Sequence, residues 1–255
     1  MTPIRLLVRS GKALWWFIRA GLLTIREIPR TGVDYDLTHR YASRLSSGWK
    51  RIFRIAHEVR NRERLLANQP CVYVANHRSN LDVITLCEIL PAQTLVIGKQ
   101  ELRKIPFLGR IFVGGGNIPI NRKDADAARQ AIERAEKIVR EQDLSIFIFP
   151  EGTRDYGRLL PFKKGAFHLA RNAGVVIQPM VCAATDRWMR GGRLWLAPSV
   201  DVLIEVLEPI DPNAFESVDT MIVETRRRMA AALESLEREI IERERKESAR
   251  VVNAE

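Results

Sequence analysis

Cys71-Val72-Tyr73-Val74-Ala75-Asn76-His77-Arg78-Ser79-Asn80-Leu81-Asp82-Val83-Ile84-Thr85-Leu86-Cys87 is the stretch whose reading decides the fold. Its first five residues are β-branched, aromatic or small and apolar. They form a run too short for a helix and predict a buried strand. From Val83 to Leu90 the density of apolar residues predicts a packed helix. The polar residues between them occupy a strand-to-helix turn, where side chains reach a ligand while the scaffold stays rigid. The ordinary pKa of a histidine such as His77 suits proton transfer near neutrality, and a neighbouring carboxylate fixes its tautomer. Five residues of ideal helix turn through about 500°, which would leave His77 and Asp82 roughly 140° apart. They meet only if His77 lies in the turn and Asp82 in the first helical turn, with Ser79 and Asn80 as caps. Taken alone, the pair also fits a surface histidine followed by an aspartate that the helix dipole favours.

Downstream, strand and helix patterns alternate. Residues 93–98 predict a strand, 99–104 a short helix ended by Pro106, and 124–141 an amphipathic helix with Ala128, Ile132, Ala135, Ile138 and Val139 on one face. Residues 144–149 predict a strand, 166–172 a short helix closed by Gly174, and 175–181 a strand whose Pro179 calls for an edge position or a bulge. Residues 200–207 predict another strand and 218–241 an amphipathic helix, with a charged continuation over 242–255 expected to fray. This alternation predicts an α/β domain over residues 67–255, built on a mixed, largely parallel central sheet flanked by helices.

Two more places carry chemistry. The strand over 144–149 runs straight into Pro150-Glu151-Gly152-Thr153-Arg154, which puts a carboxylate, a flexible glycine, a hydroxyl and a guanidinium at a strand end. Arginine holds phosphate bidentately, glycine lets an anion approach the backbone, and the glutamate can orient both. A turn with a local Glu–Arg ion pair is the alternative. Arg122 ends another strand-like run, after Gly114-Gly115-Gly116, and either binds an anion or is solvated ahead of the next helix. The glycine offsets match neither dinucleotide nor Walker fingerprints. Lys163 and Lys164 add positive potential or are ordinary surface lysines.

Composition narrows the classes. With 46% hydrophobic and 28% charged residues among 255, the chain is that of a folded protein. Its three cysteines, Cys71, Cys87 and Cys182, have no metal-ligand spacing and no disulfide framework, so no metal is expected and a reducing compartment fits. Residues 1–68 hold 14 Lys and Arg against 5 Asp and Glu, and so carry a net +9 of the chain's +10. That asymmetry points to an anionic partner surface, membrane or nucleic acid. No uncharged run approaches the roughly 18 residues of a spanning helix, and the pattern of a secretory signal is missing.

Residues 4–28 predict a helix with Arg5, Lys12, Arg19 and Arg26 along one stripe and an apolar face that includes Trp15, Trp16 and Phe17. A helix lying in a lipid interface has this pattern, and a helical hairpin or coiled coil shares the period. Residues 37–66 read as a second basic helix with Leu37, Tyr41, Leu45, Trp49, Ile52, Phe53, Ala56 and Val59. No nucleic-acid-binding motif accompanies the charge, so nucleic acid is not expected as partner. Residues 1–66 are therefore read as a two-helix membrane-association motif.

Asn76-His77 with Ser79 and Asp82, then Arg122, then Phe149-Pro150-Glu151-Gly152-Thr153-Arg154, then Pro179, follow the order of four sequence blocks. In these the chain resembles the glycerolipid acyltransferase family over about residues 47–210, most closely the branch acting on 1-acylglycerol-3-phosphate (lysophosphatidic acid). The resemblance implies a glycerol-3-phosphate acyltransferase-like α/β fold. It implies transfer of an acyl chain from acyl-CoA or acyl carrier protein to the free hydroxyl of a lysophospholipid, with no cofactor. It makes His77 the general base oriented by Asp82, and Arg122, Glu151, Gly152, Thr153 and Arg154 the residues that hold the acceptor's phosphate. It also implies a peripheral or monotopic enzyme at the cytoplasmic face of the inner membrane. Ile120-Asn121 before Arg122 and Asp155 after the third block depart from the family pattern. They leave a different lyso-lipid acceptor, such as a lyso-ornithine lipid, as the alternative. A non-enzymatic membrane-binding protein is the alternative from another class.

Overall fold

The computed structural model describes residues 3–67, 69–79, 81–155, 157–183, 189–190, 193–194 and 200–252. Two helices come first, α1 (Pro3–Ile25) and α2 (Leu37–Phe53), and they form a hairpin. Trp16 lies across α2 and donates from Nε1 to the Arg44 carbonyl at 2.8 Å, while Phe17 meets Tyr41 edge-on. Gly48 permits this approach, since a Cβ there would stand 1.9 Å from Trp16 Nε1. Trp16 and Phe17, expected on a lipid-facing side with Trp15, are thus partly used within the hairpin. Leu7, Leu14, Trp15 and Leu22 remain exposed, with the Arg19 guanidinium 5.5 Å from the Trp15 ring centre. One helix carries two apolar faces, so the hairpin reading and the interfacial reading are compatible.

The helix predicted over 37–66 stops at Phe53. Arg54 turns left-handed (φ 55°) and its N–H closes on the Lys50 carbonyl, after which the chain forms β1 (Ile55–Arg60). Ile55, His57 and Val59 alternate there with Ala56, Glu58 and Arg60, and the period of two prevails once a distant strand supplies a ladder partner. Part of the 1–66 segment therefore lies in the sheet.

The remaining elements follow as α3 (Arg64–Ala67), β2 (Val72–Ala75), α4 (Leu81–Ile89), β3 (Thr94–Lys99), a 3₁₀ turn over Gln100–Lys104, α5 (Leu108–Gly114) and β4 (Ile118–Ile120). After them come α6 (Ala125–Gln142), β5 (Ser145–Ile148), α7 (Gly165–Ala173), β6 (Ile177–Ala183), the small pair β7 (Met189–Arg190) and β8 (Arg193–Leu194), β9 (Val200–Val206) and α8 (Val218–Val252). Seven strands form one sheet in the order β1-β9-β6-β2-β5-β3-β4. Every neighbouring pair is parallel except β6 with β9. This is the mixed, largely parallel sheet that the alternation predicts.

β2 is buried on both faces. Val72 and Val74 pack toward α6, α7 and α8, and Cys71, Tyr73 and Ala75 toward α4. This is why its sequence is continuously apolar. Asp124 starts α6 by accepting from the N–H groups of Asp126 and Ala127, and Gly174 closes α7 at φ 72°. α2 is tied to α4 through Glu88, which accepts from Lys50 and Ser46 at 2.5 Å each and lies 3.4 Å from His57. Burial opposes ionisation of that carboxyl, but the donors from His57, Lys50 and Ser46 prevail and bring its pKa down to about 2.

Pro179 lies on an inner strand, with β2 on one side and β9 on the other. Of its two expected settings the bulge is the one realised. Met180 pairs with Val206, but Ile177 pairs with Ile210, so two residues on β6 face three on the other chain. The Ile177 N–H points to that side, toward the Ile210 carbonyl, and so does the position of the proline's missing N–H. The frayed end expected over 242–255 is helical to Val252. Pairs Arg243–Glu239 and Lys246–Glu242 support it, and Arg243 also reaches Glu58 on β1.

Gly48→Ala would force α1 away from α2 at Trp16. We expect a loss of about 1–3 kcal/mol, read as a lower thermal midpoint with a red-shifted, more quenchable tryptophan emission.

Candidate active site

β2 and β5 run parallel and adjacent, with Val74 opposite Ile148. The residues three beyond each, His77 and Glu151, therefore emerge side by side at the carboxyl edge of the sheet, where open α/β sheets bind ligands. β6, the other neighbour of β2, is held past the end of the ladder by Asn76. Its side-chain amide donates to the Cys182 carbonyl and accepts the Cys182 N–H, both at 2.8 Å.

His77 Nδ1 lies 3.0 Å from Asp82 Oδ2. The two meet in the way the spacing requires, with His77 in the turn and Asp82 in the first turn of α4. Asp82 is fully buried, and the same Oδ2 accepts the N–H groups of Arg78 at 2.5 Å and Ser79 at 2.7 Å. Asp82 thus reaches back over the turn that leads into α4. Asn80 lies outside the described residues. Phe149 stacks on the imidazole at 3.9 Å between ring centres and 14° between planes, which fixes the plane of the ring. With Nδ1 taken by Asp82, Nε2 is the nitrogen left for a proton on a bound molecule.

Glu151 is 4% exposed. One carboxylate oxygen accepts the His77 N–H at 2.7 Å and the other the Leu160 N–H at 2.8 Å. The Asp155 N–H in turn bonds the His77 carbonyl at 3.2 Å, so the 151–155 turn grips the histidine backbone at both ends. Sequence reasoning put Glu151 among the residues holding a ligand phosphate. Its carboxylate instead faces inward and is occupied by the two turns, as suits a charge that would repel an anion. Burial raises its pKa from 4.5 to about 7, against the pull of the Leu160 and His77 N–H groups and Arg78.

The cations lie beside it. Gly152 takes φ +69°, a conformation open to glycine, and its carbonyl accepts from Arg122 Nη1 at 2.6 Å. Burial, then the nearby Arg154, lowers the pKa of Arg122. Thr153 and Arg154 are exposed on the same turn. A cleft of about 480 Å³ runs from Arg122 and Gly152 along apolar residues of α6 and α7. Thus His77 and Asp82 form one group and Arg122, Gly152 and Arg154 another, and Glu151 bonds to the histidine of the first from the turn of the second.

Three contributors were not assigned from sequence. Phe149 reads as the end of a buried strand, and only the fold lays it on His77. Asn76 reads as part of the turn, and its bond to β6 needs the sheet order. Arg78 is buried and ion-paired with Glu237 on α8, a partner from the far end of the chain.

The sequence profile of the acyltransferase family matches residues 56–183. A 1-acyl-sn-glycerol-3-phosphate acyltransferase of Escherichia coli is 36% identical over 176 residues, covering 68% of this chain and 71% of that protein. One of Haemophilus influenzae is 38% identical over 151 residues, covering 56% of this chain and 59% of that protein. The solved structure of the 1-acyl-sn-glycerophosphate (LPA) acyltransferase of Thermotoga maritima superposes with a TM-score of 0.74 at 21% identity, over 91% of this chain and 97% of that one.

The raised pKa of Glu151 fixes a pH dependence. Between 4.5 and about 7 the folded state holds a proton that the unfolded state has lost, so this group's contribution to stability falls as pH rises and levels off above that window. Glu151→Gln has no such titration and loses one acceptor, at a cost of about 1–3 kcal/mol. We expect the gap in thermal midpoint between wild type and variant to narrow as pH is raised from about 5 to about 8.

Proposed function

From the premise that this chain belongs to the acyltransferase family, we propose that it transfers an acyl chain from acyl-CoA, or acyl carrier protein, to the free sn-2 hydroxyl of 1-acylglycerol-3-phosphate, giving phosphatidic acid. The observation that carries this reading is a histidine whose Nδ1 is held by a buried carboxylate, next to a turn that carries Arg154 and is bonded by Arg122 through the Gly152 carbonyl. A hydroxyl is a weak nucleophile, and its proton must leave as it attacks a thioester.

In the proposed step His77 Nε2 takes that proton as the hydroxyl oxygen bonds to the thioester carbon. The tetrahedral species collapses, the carbon–sulfur bond breaks, and the imidazolium returns the proton to the departing thiolate. Asp82 keeps the imidazole in the tautomer with Nε2 free and stabilises the imidazolium. No side chain forms a bond to the acyl group, and no cofactor beyond the donor is required. Arg122 and Arg154, with the backbone around Gly152 and Thr153, anchor the phosphate and so fix the hydroxyl against His77, a gain of several kcal/mol in orientation.

The substrates are amphiphiles, and we assign α1 the task of seating the enzyme on the anionic cytoplasmic leaflet. No described helix is long and apolar enough to cross a membrane. The exposed Leu7, Leu14, Trp15 and Leu22, with Lys12, Arg19 and Arg26, suit a helix lying in the interface.

Purified protein is expected to convert lysophosphatidic acid and an acyl thioester to phosphatidic acid. His77→Ala should lower kcat by about 10³ and Asp82→Asn by roughly 10² with the fold retained. Full turnover in His77→Ala would remove His77 as the base. Serine at Leu14, Trp15 and Leu22 together should weaken sedimentation with anionic vesicles by about tenfold, with little change in the far-ultraviolet circular dichroism.

A further inference from the structure

We propose that Lys163 is the third cation of the anion-binding turn and that its ammonium, with Arg122 and Arg154, binds the phosphate of the acceptor; this rests on the reading of the site given above. Lys163 lies in the segment that leads into α7, and its backbone N–H donates to the Pro150 carbonyl at 2.8 Å. That bond sets the lysine beside the 150–154 turn. Its side chain then runs over Gly152. A Cβ built on that glycine would stand 2.8 Å from Lys163 Cε, 3.1 Å from Cδ and 3.2 Å from Nζ. Gly152 is required for its φ of +69°, and the far end of the lysine side chain lies over the open space it leaves.

The same glycine carries Arg122 on its carbonyl oxygen, at 2.6 Å from Nη1. An ammonium and a guanidinium are therefore within reach of a single residue, and both line the same cleft. Arg154 is close enough to Arg122 to depress its pKa, after the larger effect of burial. Lys164, next in sequence, is neutralised by Asp219 at 2.7 Å. Among the described residues no carboxylate is paired with Lys163.

Arg122 and Arg154 repel one another at this turn, and Lys163 brings a third positive charge over Gly152. A dianionic ligand reverses the sign of the interaction, and each charge-assisted contact is then stronger than a neutral hydrogen bond. The two side-chain types divide the work. A guanidinium offers a planar fork with fixed directions, while an ammonium on a flexible stem closes on a phosphate oxygen from the open side. The acyl-CoA donor also carries phosphates, so the test separates the two substrates.

Steady-state kinetics on the full chain, with lysophosphatidic acid and acyl-CoA varied in turn, reads the assignment. Lys163→Met should raise KM for the acceptor about tenfold, leaving KM for acyl-CoA and kcat nearly unchanged. Lys163→Arg should recover most of the loss, and Lys164→Met should behave as wild type. A rise in KM for acyl-CoA instead, or no change in either KM, would overturn the proposal. Calorimetric titration with glycerol 3-phosphate decides it without turnover. Binding to wild type that is weakened in Lys163→Met supports it, and equal binding, or none to wild type, overturns it. If wild type binds glycerol 3-phosphate through Lys163 but acylates no lysophosphatidic acid, the reading of the reaction fails while the phosphate site stands.

Discussion

The site depends on one buried carboxylate shared between two turns. Parallel strands β2 and β5 end side by side, and each leaves peptide N–H groups at its end that the ladder no longer satisfies. Glu151 supplies an acceptor to both the His77 and Leu160 N–H groups, and the Asp155 N–H covers the His77 carbonyl. Without these bonds the two turns would have no common frame, and the distance from the imidazole to the cation-bearing turn would be undefined. The cost is a carboxyl held away from water, which is why its proton is retained to about pH 7.

That frame is braced from behind by α8. Arg226 donates to the carbonyls of Leu159 and Leu160, at 2.6 and 3.2 Å, and so steadies the peptide whose N–H meets Glu151. Glu237, further along the same helix, pairs with Arg78 in the turn that carries His77. One rigid element therefore touches both turns, through residues that do not contact a substrate. On the other face the Glu88 cluster ties α2 to α4, the helix on which Asp82 sits. The N-terminal hairpin is in this way connected mechanically to the histidine's partner. Arg78 is buried while Glu237 is only partly so, and a pair with one desolvated member is screened less than its surface counterparts.

What could be read from the sequence follows from the range of the interactions. β2, β5, α6 and the glycine cap of α7 rest on local periodicity and local capping, and all four fall within a residue or two of expectation. The meeting of His77 with Asp82 also depends on six consecutive residues, and spacing alone stated the condition for it. β1 was misread because its residues satisfy a helical pattern nearly as well as an alternating one, and only β9 decides between them. Glu151 was assigned the right location and the wrong direction, since a carboxylate in a turn looks the same from sequence whether it faces a ligand or the peptide groups behind it. Pro179 announced a disturbed ladder, but the pairing on each side of it was needed to tell a bulge from an edge.

Charge is sorted at this site in a way that bulk composition hides. Residues 69–255 are almost neutral, and the basic excess belongs to the N-terminal quarter. At the carboxyl edge of the sheet, however, Asp82 and Glu151 are buried, with Oδ2 of the first and both carboxylate oxygens of the second taken by N–H donors, while Arg122, Arg154 and Lys163 reach the cleft or the open side of its turn. The cations around Gly152 thus face outward while Asp82 and Glu151 face the peptide groups, and Glu133 and Glu136 line the same cleft. In the function proposed here, the long-range attraction to an anionic surface and the short-range hold on one phosphate come from different parts of the chain. Salt within a Debye length of about 8–10 Å screens the first far more than the second, because exposed charges lose most to screening and buried ones least. On that reading the enzyme is gathered to a surface by contacts that salt weakens, while the proposed grip on the acceptor, set by the half-buried Arg122, persists.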